Sequence, residues 1–448
     1  MERQMQSNRF FETERIGKIL IRIAPPVMLA QLIQALYNII DSYFVGKYSA
    51  DGMTALSVIF PVQFIIISLA VGTGVGVNIL VARLSAQRHE TQAVRVAGTG
   101  SVLAVLTWAV FSVLAVLILP VYIHASASVP QAVSYARLYG NIVCVGSLGI
   151  FLESIWTKVH QAKGNMRRPM AAQMIGAITN IVLDPLLIFG LGPFPQMGIA
   201  GAAVATVVGQ FTAAAITAPQ GFCRPPKVKL LSSYGLKIYR AAYASILMQM
   251  TCTVYIIVLN IILAGFSDSA VTVLGLYYKY QSFFFIPLLA LSTCIVPVIS
   301  YNFACGRRDR CKAIFAASIW ISLGFMVVGA VCFIGMPRQL ISVFSGEPEV
   351  FRIGIPAFRI IGCSFFSAVL SLMTPVFFQA IGRTFTSVLI SLTRQILCLI
   401  PIFWLFSLMG VGYTWIAFPA SESIAGGLGL ILCFRQFQRW NLQDISQS

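Results

Sequence analysis

The sequence predicts an all-α polytopic membrane protein with twelve transmembrane helices in two pseudo-symmetric six-helix bundles. Three observations predict this fold class. The chain of 448 residues is 58% hydrophobic and only 10% charged, its apolar segments are of membrane length, and its two halves resemble each other. Soluble domains usually carry about 25% charged residues, so this chain lacks the polar side chains that cover a water-soluble protein.

The apolar segments predict twelve spans, since a helix needs about 20 apolar residues to cross a bilayer. In order, they lie near 18–43, 53–81, 94–121, 133–157, 169–190, 198–219, 236–264, 270–301, 313–336, 354–380, 385–407 and 412–434. Pro25 and Pro26 predict a kink in the first span, and Pro185 predicts a bend in the fifth. Proline has no N–H to bond to the preceding helical turn.

Lysine and arginine accumulate in alternate loops. One set of segments contains Arg3, Arg9, Arg15, Lys18, Arg22, Arg83, Arg88, Arg95, Lys158, Lys163, Arg167, Arg168, Arg224, Lys227, Lys229, Lys237, Arg240, Arg307, Arg308, Arg310, Lys312, Arg383, Arg435 and Arg439. The opposite set contains only Lys47, Arg137, Arg338, Arg352 and Arg359. Basic loops face the cytoplasm, so we expect both termini there, in a prokaryotic cytoplasmic membrane. The net charge of +17 then indicates contact with anionic lipid and not with nucleic acid.

The two halves of the chain share a repeat at one constant offset along the sequence. The segment 161–164 (QAKG) matches 379–382 (QAIG), and the same offset pairs Gln31 with Gln249, Tyr37 with Tyr255, Ser49 with Ser267, Thr54 with Thr272 and Gln63 with Gln281. We therefore predict an amino-terminal six-helix bundle at 1–222, a basic cytoplasmic linker at 223–233 and a carboxy-terminal bundle at 234–448. Parallel repeats of this kind predict a cavity between the halves and alternating access.

Polar side chains inside the predicted spans of the first half form the candidate coupling site. They are Asp41, Glu153, Asn180, Asp184 and Thr206. A central carboxylate costs about 2.5–3.5 kcal/mol on membrane-insertion scales, so it normally faces a cavity or a partner. One interpretation is that the acids are protonated, hydrogen-bonded structural groups. The other is that they exchange a proton or Na⁺, and we favour this one because the acids cluster in one half.

The second half contains Lys279, Arg394 and Glu422 in its spans. Arg394 and Glu422 are interpreted as a structural ion pair, with a functional role as the alternative. Lys279 either lines a cavity or extends its amino group to the membrane interface. The ten cysteines and three histidines form no metal-ligand spacing. Motifs of the type HExxH, GxSxG and Walker A are absent, so we expect neither an enzyme nor an ATP-driven pump.

Several segments resemble the multidrug and toxic compound extrusion (MATE) family. They are PPVMLAQLIQALYNIIDSYFVG, FPVQ, QAKGN, NIVLDPLLIFG, GIAGAAVATVVGQ and QAIGR, spread over nearly the whole chain. The resemblance implies an exporter driven by proton or sodium movement, with a V-shaped central cavity between the bundles. The family's amino-terminal site corresponds to Asp41, Asn180, Asp184 and Thr206 here. Glu153 is a departure, because many relatives carry asparagine there.

The resemblance also places Gln34 and Tyr37 in the pocket of Asp41, and we assign Lys279 and Gln281 to the substrate cavity. We expect a secondary antiporter that exports small organic molecules, cationic and amphipathic, by alternating access. The coupling ion would be a proton or Na⁺, with no cofactor and no metal beyond a sodium site. We expect a monomer embedded in the lipid bilayer. The alternative function is a flippase for a lipid-linked saccharide or a related lipid precursor.

Overall fold

The computed structural model describes residues 14–126, 130–344 and 347–445. Within these residues, ten helices are long and apolar enough to cross a membrane, and two bent helix pairs each supply one further span. The described chain contains no strand. This confirms the predicted twelve-helix polytopic fold. Arg3 and Arg9, which contribute to the predicted orientation, lie outside the described residues.

Within its described residues, the first half contains seven helices: α1 Ile16–Tyr48, α2 Ala50–Ala86, α3 Glu90–Ser126, α4 Pro130–Gly146, α5 Leu148–Ala162, α6 Arg167–Phe189 and α7 Ile199–Gly221. The second half contains α8 Val228–Ala264, α9 Asp268–Phe284, α10 Ile286–Ala304, α11 Arg308–Gly335, α12 Pro337–Ser342, α13 Pro348–Gly362, α14 Phe365–Ala380, α15 Thr384–Leu392, a π-helical segment Thr393–Leu399, α16 Ile400–Ser407, α17 Val411–Thr414 and α18 Ala417–Ile445. The bent pairs are α4 with α5, at 41°, and α13 with α14, at 55°.

Two serines that the sequence repeat pairs, Ser49 and Ser267, have the same structural role. Each serine precedes a helix in extended backbone conformation, and its side chain accepts a hydrogen bond from the N–H three residues later. Serine is a preferred N-cap because its oxygen satisfies one of the unpaired N–H groups of the first helical turn. The repeat therefore includes the start of α2 and the start of α9.

The described chain divides into two compact units, each of which makes most of its residue contacts within itself. Unit 1 includes 25–249, and unit 2 includes 14–24 and 250–448. The change from one unit to the other thus falls at Pro25 inside α1 and after Gln249 inside α8, and not in the segment 223–233. The assignment of 1–222, 223–233 and 234–448 to two bundles and a linker stays a prediction.

Unit 1 holds the start of α8 by close packing. The hydroxyl groups of Tyr239 and Thr107 form a hydrogen bond with an oxygen–oxygen distance of 2.7 Å. A Cβ placed on Gly76 would lie 2.6 Å from the carbonyl oxygen of Ile238, so only glycine permits this approach. In unit 2, the thiol of Cys294 contacts the carbonyl oxygen of Ile23 at 3.5 Å. The start of α8 is therefore packed within unit 1, and the start of α1 is packed within unit 2.

The carboxy-terminal end of α7 is capped by basic side chains from α5 and α6 and from the turn between them. His160 bonds the carbonyl of Thr217 at 3.0 Å, and Arg168 Nε donates to the carbonyl of Ile216 at 2.9 Å. Lys163 Nζ donates to the carbonyl of Gln220 at 3.2 Å. Side-chain donors satisfy the final carbonyls of a helix, and the positive charge of Arg168 also lies at the negative end of the helix dipole. Gln220 lies beyond the regular helix, in non-helical backbone. These bonds join α5, α6 and α7 beyond the segments that carry the candidate site.

Candidate functional site

The centre of the candidate site lies where α6 packs against α7. Asn180 and Asp184 stand four residues apart on α6, on one helix face, and Thr206 faces them from α7. All three side chains are buried. With its amide turned to satisfy both neighbours, Asn180 donates to Asp184 Oδ2 at 3.2 Å and accepts from the Thr206 N–H at 3.1 Å. The amide therefore joins the Asp184 carboxylate to α7.

Asp41 approaches the same centre from α1. Its side chain is 8% exposed, and it is close enough to Asp184 for the two carboxylates to interact electrostatically. Oδ1 of Asp41 is enclosed and has no hydrogen-bond partner among the described residues. A buried carboxylate oxygen without a donor is unfavourable, because it has lost its water and gained nothing in return. A proton or a cation that accepts oxygen ligands would satisfy this oxygen.

Two tyrosines complete the cluster. Tyr37 lies one turn before Asp41, interacts with the Gln34 side chain and is within electrostatic range of both carboxylates. Tyr139 on α4 accepts a hydrogen bond from Gln63 Nε2 at 3.1 Å and interacts with the Thr206 side chain and with Asp41. Sequence reasoning missed Tyr139, because one tyrosine in an apolar segment carries no signal. Gln63 was visible in the sequence only as a member of the repeat and as the last residue of the segment FPVQ.

Glu153 is placed apart from this group. Its carboxylate accepts a hydrogen bond from Thr157 Oγ1 at 2.6 Å, and its charge interacts with Lys158, so both partners lie on α5 itself. Lys158 Nζ in turn donates to Gln161 at 3.0 Å. The structure thus brings Asp41, Asn180, Asp184 and Thr206 together without Glu153. The coupling role of Glu153 stays a prediction.

The polar residues of the second half lie in unit 2. Arg394 Nη1 stands 3.1 Å from Glu422 Oε1, so the two side chains form an ion pair whose structural role remains a prediction. Lys279 is exposed, with Nζ 5.0 Å from the centroid of the Phe344 ring. Gln281 is half-buried. The assignments of Lys279 and Gln281, and of Gln34 and Tyr37 in unit 1, to a substrate cavity stay predictions.

The cluster in unit 1 offers ligands for a small cation. Two carboxylates, an amide and a hydroxyl group are oxygen ligands suited to a hard ion such as Na⁺. A carboxylate can also take up a proton. Because α1, α6 and α7 each supply a group, a cation bound here would contact three helices.

A repeated helical membrane fold with buried carboxylates in its spans is typical of a membrane transporter. The MatE family model matches residues 26–186 and 244–405, and the starts of its two matches are separated by the same offset as the sequence repeat. The chain belongs to this family. The resemblance that the motifs indicate is therefore confirmed, and the two matches correspond to the two halves of the repeat.

Individual relatives agree with this assignment. The chain is 26% identical over 439 residues to a FAD transporter of Shewanella oneidensis, with 95% of each chain covered. It is 25% identical over 379 residues to a probable multidrug resistance protein, NorM, of Thermotoga maritima, covering 81% of this chain and 80% of that one. A solved structure of a MOP superfamily transporter from Pyrococcus furiosus matches with a TM-score of 0.89 at 21% identity, covering 97% and 98%. The similarity to this solved structure supports the fold of the chain.

Proposed function

We propose that this protein is a secondary antiporter that exports organic, cationic and amphipathic compounds in exchange for protons or Na⁺. The observation that carries the proposal is the buried oxygen cluster of unit 1, in which Asp41 Oδ1 has no partner among the described residues. The membership in the MatE family supports it. We place the protein in a prokaryotic cytoplasmic membrane as a monomer, with both termini cytoplasmic.

Coupling would act through α1, α6 and α7. A cation that binds Asp41 and Asp184 removes the repulsion between two buried carboxylates. Pro185 follows Asp184 directly and has no N–H, so the carbonyl of Ile181 lacks its usual helical partner and α6 bends more easily there. A cation that binds one conformation more tightly than the other shifts the population toward the first. Export follows if that conformation has a lower affinity for the exported compound.

The test is transport by the purified protein in liposomes, with ethidium as a cationic amphipathic probe. A pH gradient and a sodium gradient are imposed in separate experiments. We expect one of them to drive ethidium against its concentration gradient, and no accumulation when both gradients are absent. If neither gradient drives ethidium, the proposal of cation-coupled export of such compounds is wrong.

The relative from Shewanella oneidensis, a FAD transporter, favours a second candidate function, the export of a flavin dinucleotide. Its alignment covers 95% of both chains, more than the alignment with NorM does. The same liposomes, supplied with FAD in place of ethidium, test this candidate. FAD transport that depends on an ion gradient would support it. The flippase alternative from the sequence stays a prediction and rests on Lys279 alone.

A further inference from the structure

Unit 2 contains a polar cluster of its own, centred on Arg394. Arg394 lies in the π-helical segment between α15 and α16, and its Nη1 donates to Glu422 Oε1 on α18 at 3.1 Å. The hydroxyl of Ser371 on α14 donates to the other carboxylate oxygen, Oε2. Both charged side chains are 12% exposed, so the pair is largely buried but reachable. Segments of π-helix occur frequently at functional sites.

Aromatic and amide side chains surround the guanidinium group. Tyr255, Cys252 and Tyr277 are all close enough to Arg394 to interact with it electrostatically. Gln395 follows Arg394 and points its Nε2 toward Cys252 Sγ at 3.8 Å, and that thiol contacts the Tyr255 hydroxyl at 3.8 Å. The cluster therefore draws on α8, α9, α14, α18 and the π-helical segment, which makes it a tertiary arrangement and not a local motif.

The repeat relates this cluster to the site in unit 1. At the repeat offset, Cys252 corresponds to Gln34 and Tyr255 to Tyr37. Ser371 corresponds to Glu153, which lies outside the unit 1 site. Polar side chains thus occupy equivalent positions of both units. The chemistry differs, because unit 1 brings two carboxylates together and unit 2 places an arginine at the centre.

The guanidinium group of this cluster has unused hydrogen-bond donors. Each oxygen of Glu422 accepts one hydrogen bond, Oε1 from Arg394 and Oε2 from Ser371. Among the described residues, the guanidinium uses one of its donors, although arginine offers about five N–H groups in a planar fork. The Gln395 side chain is 4% exposed, and its Oε1 has no partner in the described chain. The cluster therefore has unused donors at Arg394 and one unpaired buried oxygen beside them.

We propose that the Arg394 cluster is a ligand site that takes a carboxylate or phosphate group of a transported solute. In naming the ligand as a transported solute, the proposal rests on the second candidate function, the export of a flavin dinucleotide. The planar guanidinium fork matches the two oxygens of a carboxylate or phosphate. Glu422 holds the guanidinium in place while the site is empty and yields part of it to the incoming anion. A cationic ligand is disfavoured here, because it would approach the positive charge of the Arg394 guanidinium group.

The test measures binding of two flavins to the purified full-length chain in phosphatidylcholine nanodiscs, by titration of flavin fluorescence. Flavin mononucleotide and riboflavin share one planar ring system and differ by a single phosphate. We expect the unmodified protein to bind flavin mononucleotide at least tenfold more tightly than riboflavin. Equal affinities, or no binding of flavin mononucleotide at millimolar concentration, would overturn the proposal.

Three variants test the role of Arg394. Arg394→Gln should lose the preference for the phosphate-bearing flavin, and the double variant Arg394→Gln/Glu422→Gln should lose it too. The double variant removes both buried charges, so it guards against a loss caused by an unpaired Glu422. Glu422→Gln should strengthen binding of flavin mononucleotide about tenfold, because Arg394 loses its competing carboxylate. Unchanged preference in the double variant would contradict the proposal.

A matched control is Arg352→Gln in the same unit. Arg352 is 75% exposed and pairs with Glu349 on the surface of α13, so its loss should leave both flavin affinities unchanged. Loss of the preference in this variant would show that general charge, and not the Arg394 cluster, attracts the anion.

Two further titrations distinguish a soluble anion from a lipid headgroup as the occupant of the site. Inorganic phosphate at millimolar concentration should compete with flavin mononucleotide, as expected for a shared guanidinium contact. Nanodiscs that contain phosphatidylglycerol should preserve the preference. If they abolish it, the occupant is a lipid headgroup and the assignment to a solute fails.

The binding measurement needs no ion gradient, so it is independent of coupling in unit 1. Asp41→Asn should keep the preference for flavin mononucleotide. Failure of the Arg394 variants to change binding would refute this site and leave the antiport proposal standing. If no ion gradient drives transport but the flavin preference is present, the antiport proposal is refuted and the Arg394 site stands.

Discussion

At the scale of single residues, the site depends on how its carboxylates are satisfied. Asp184 is bonded by Asn180, whereas Oδ1 of Asp41 is enclosed and unpartnered among the described residues. The two acids interact electrostatically, so a proton or cation on one changes the affinity of the other. Asp41 is therefore the residue where a bound cation gains most.

Replacement of Asp41 or Asp184 tests this assignment. We expect Asp41→Asn and Asp184→Asn to abolish drug resistance in cells while the protein remains in the membrane. Asparagine keeps the volume of aspartate and removes the exchangeable charge. The measurements are the lowest inhibitory drug concentration and the amount of protein in membrane fractions.

The control for these variants is Asp309→Asn at the start of α11. The Asp309 side chain is 90% exposed and pairs with Lys312, so its charge is balanced at the surface. Resistance should stay at the level of the unmodified protein. Normal export by both Asp41→Asn and Asp184→Asn would show that coupling does not pass through these acids.

At the scale of elements, the site depends on how closely α6 approaches α7. A Cβ on Gly209 would lie 2.8 Å from the carbonyl oxygen of Gly176 and 3.2 Å from Cβ of Asn180. A Cβ on Gly201 would lie 2.6 Å from the carbonyl oxygen of Leu187. Small residues allow close backbone approach between membrane helices, where the hydrophobic effect contributes little. These glycines hold Asn180 within reach of Thr206.

Gly209→Ala should separate α6 from α7. Overpacking of this kind destabilises by about 1–3 kcal/mol, because backbone atoms must move. We expect a lower thermal unfolding temperature in detergent and about a tenfold loss of export, since the contact between Asn180 and Thr206 lengthens. Gly324→Ala on α11 is the matched control, because no atom lies within 4 Å of its added Cβ. Equal stability of the two variants would mean that close packing at Gly209 does not support the site.

At the scale of the whole molecule, the two units exchange parts of their first helices. Residues 14–24, which include the start of α1, belong to unit 2, and residues 228–249 of α8 belong to unit 1. Pro25 marks the changeover in α1, where proline interrupts the helical hydrogen bonds. The exchange could not be inferred from hydropathy, because both changeovers lie inside continuous apolar helices.

The orientation of the molecule is a separate prediction at this scale. Alkaline phosphatase fused after Pro195, in a segment without Lys or Arg, should be active because the enzyme folds only outside the cytoplasm. Fused after Ser448, it should be inactive, and green fluorescent protein at that position should fluoresce. The physical reason is retention of basic loops on the cytoplasmic side. Active phosphatase after Ser448 would reverse the predicted orientation.

The number of spans, the repeat and the family resemblance can all be predicted from the sequence. Hydropathy reports span length directly, and the constant offset between the halves is visible in pairs such as Tyr37 with Tyr255. The sequence also identified Asp41, Asn180, Asp184 and Thr206, because a carboxylate or amide in a membrane helix stands out against its neighbours.

Which polar groups come into contact depends on the packing of the folded chain and cannot be predicted from the sequence. It added Tyr139 and Gln63 to the site, placed Glu153 with Thr157 and Lys158, and surrounded Arg394 with tyrosines. In a membrane, the lipid-facing and the core-facing positions of a helix are both apolar, so periodicity does not mark the inner face. The rotation and spacing of each helix are set by contacts such as Gly176 with Gly209, which arise only when the chain is packed.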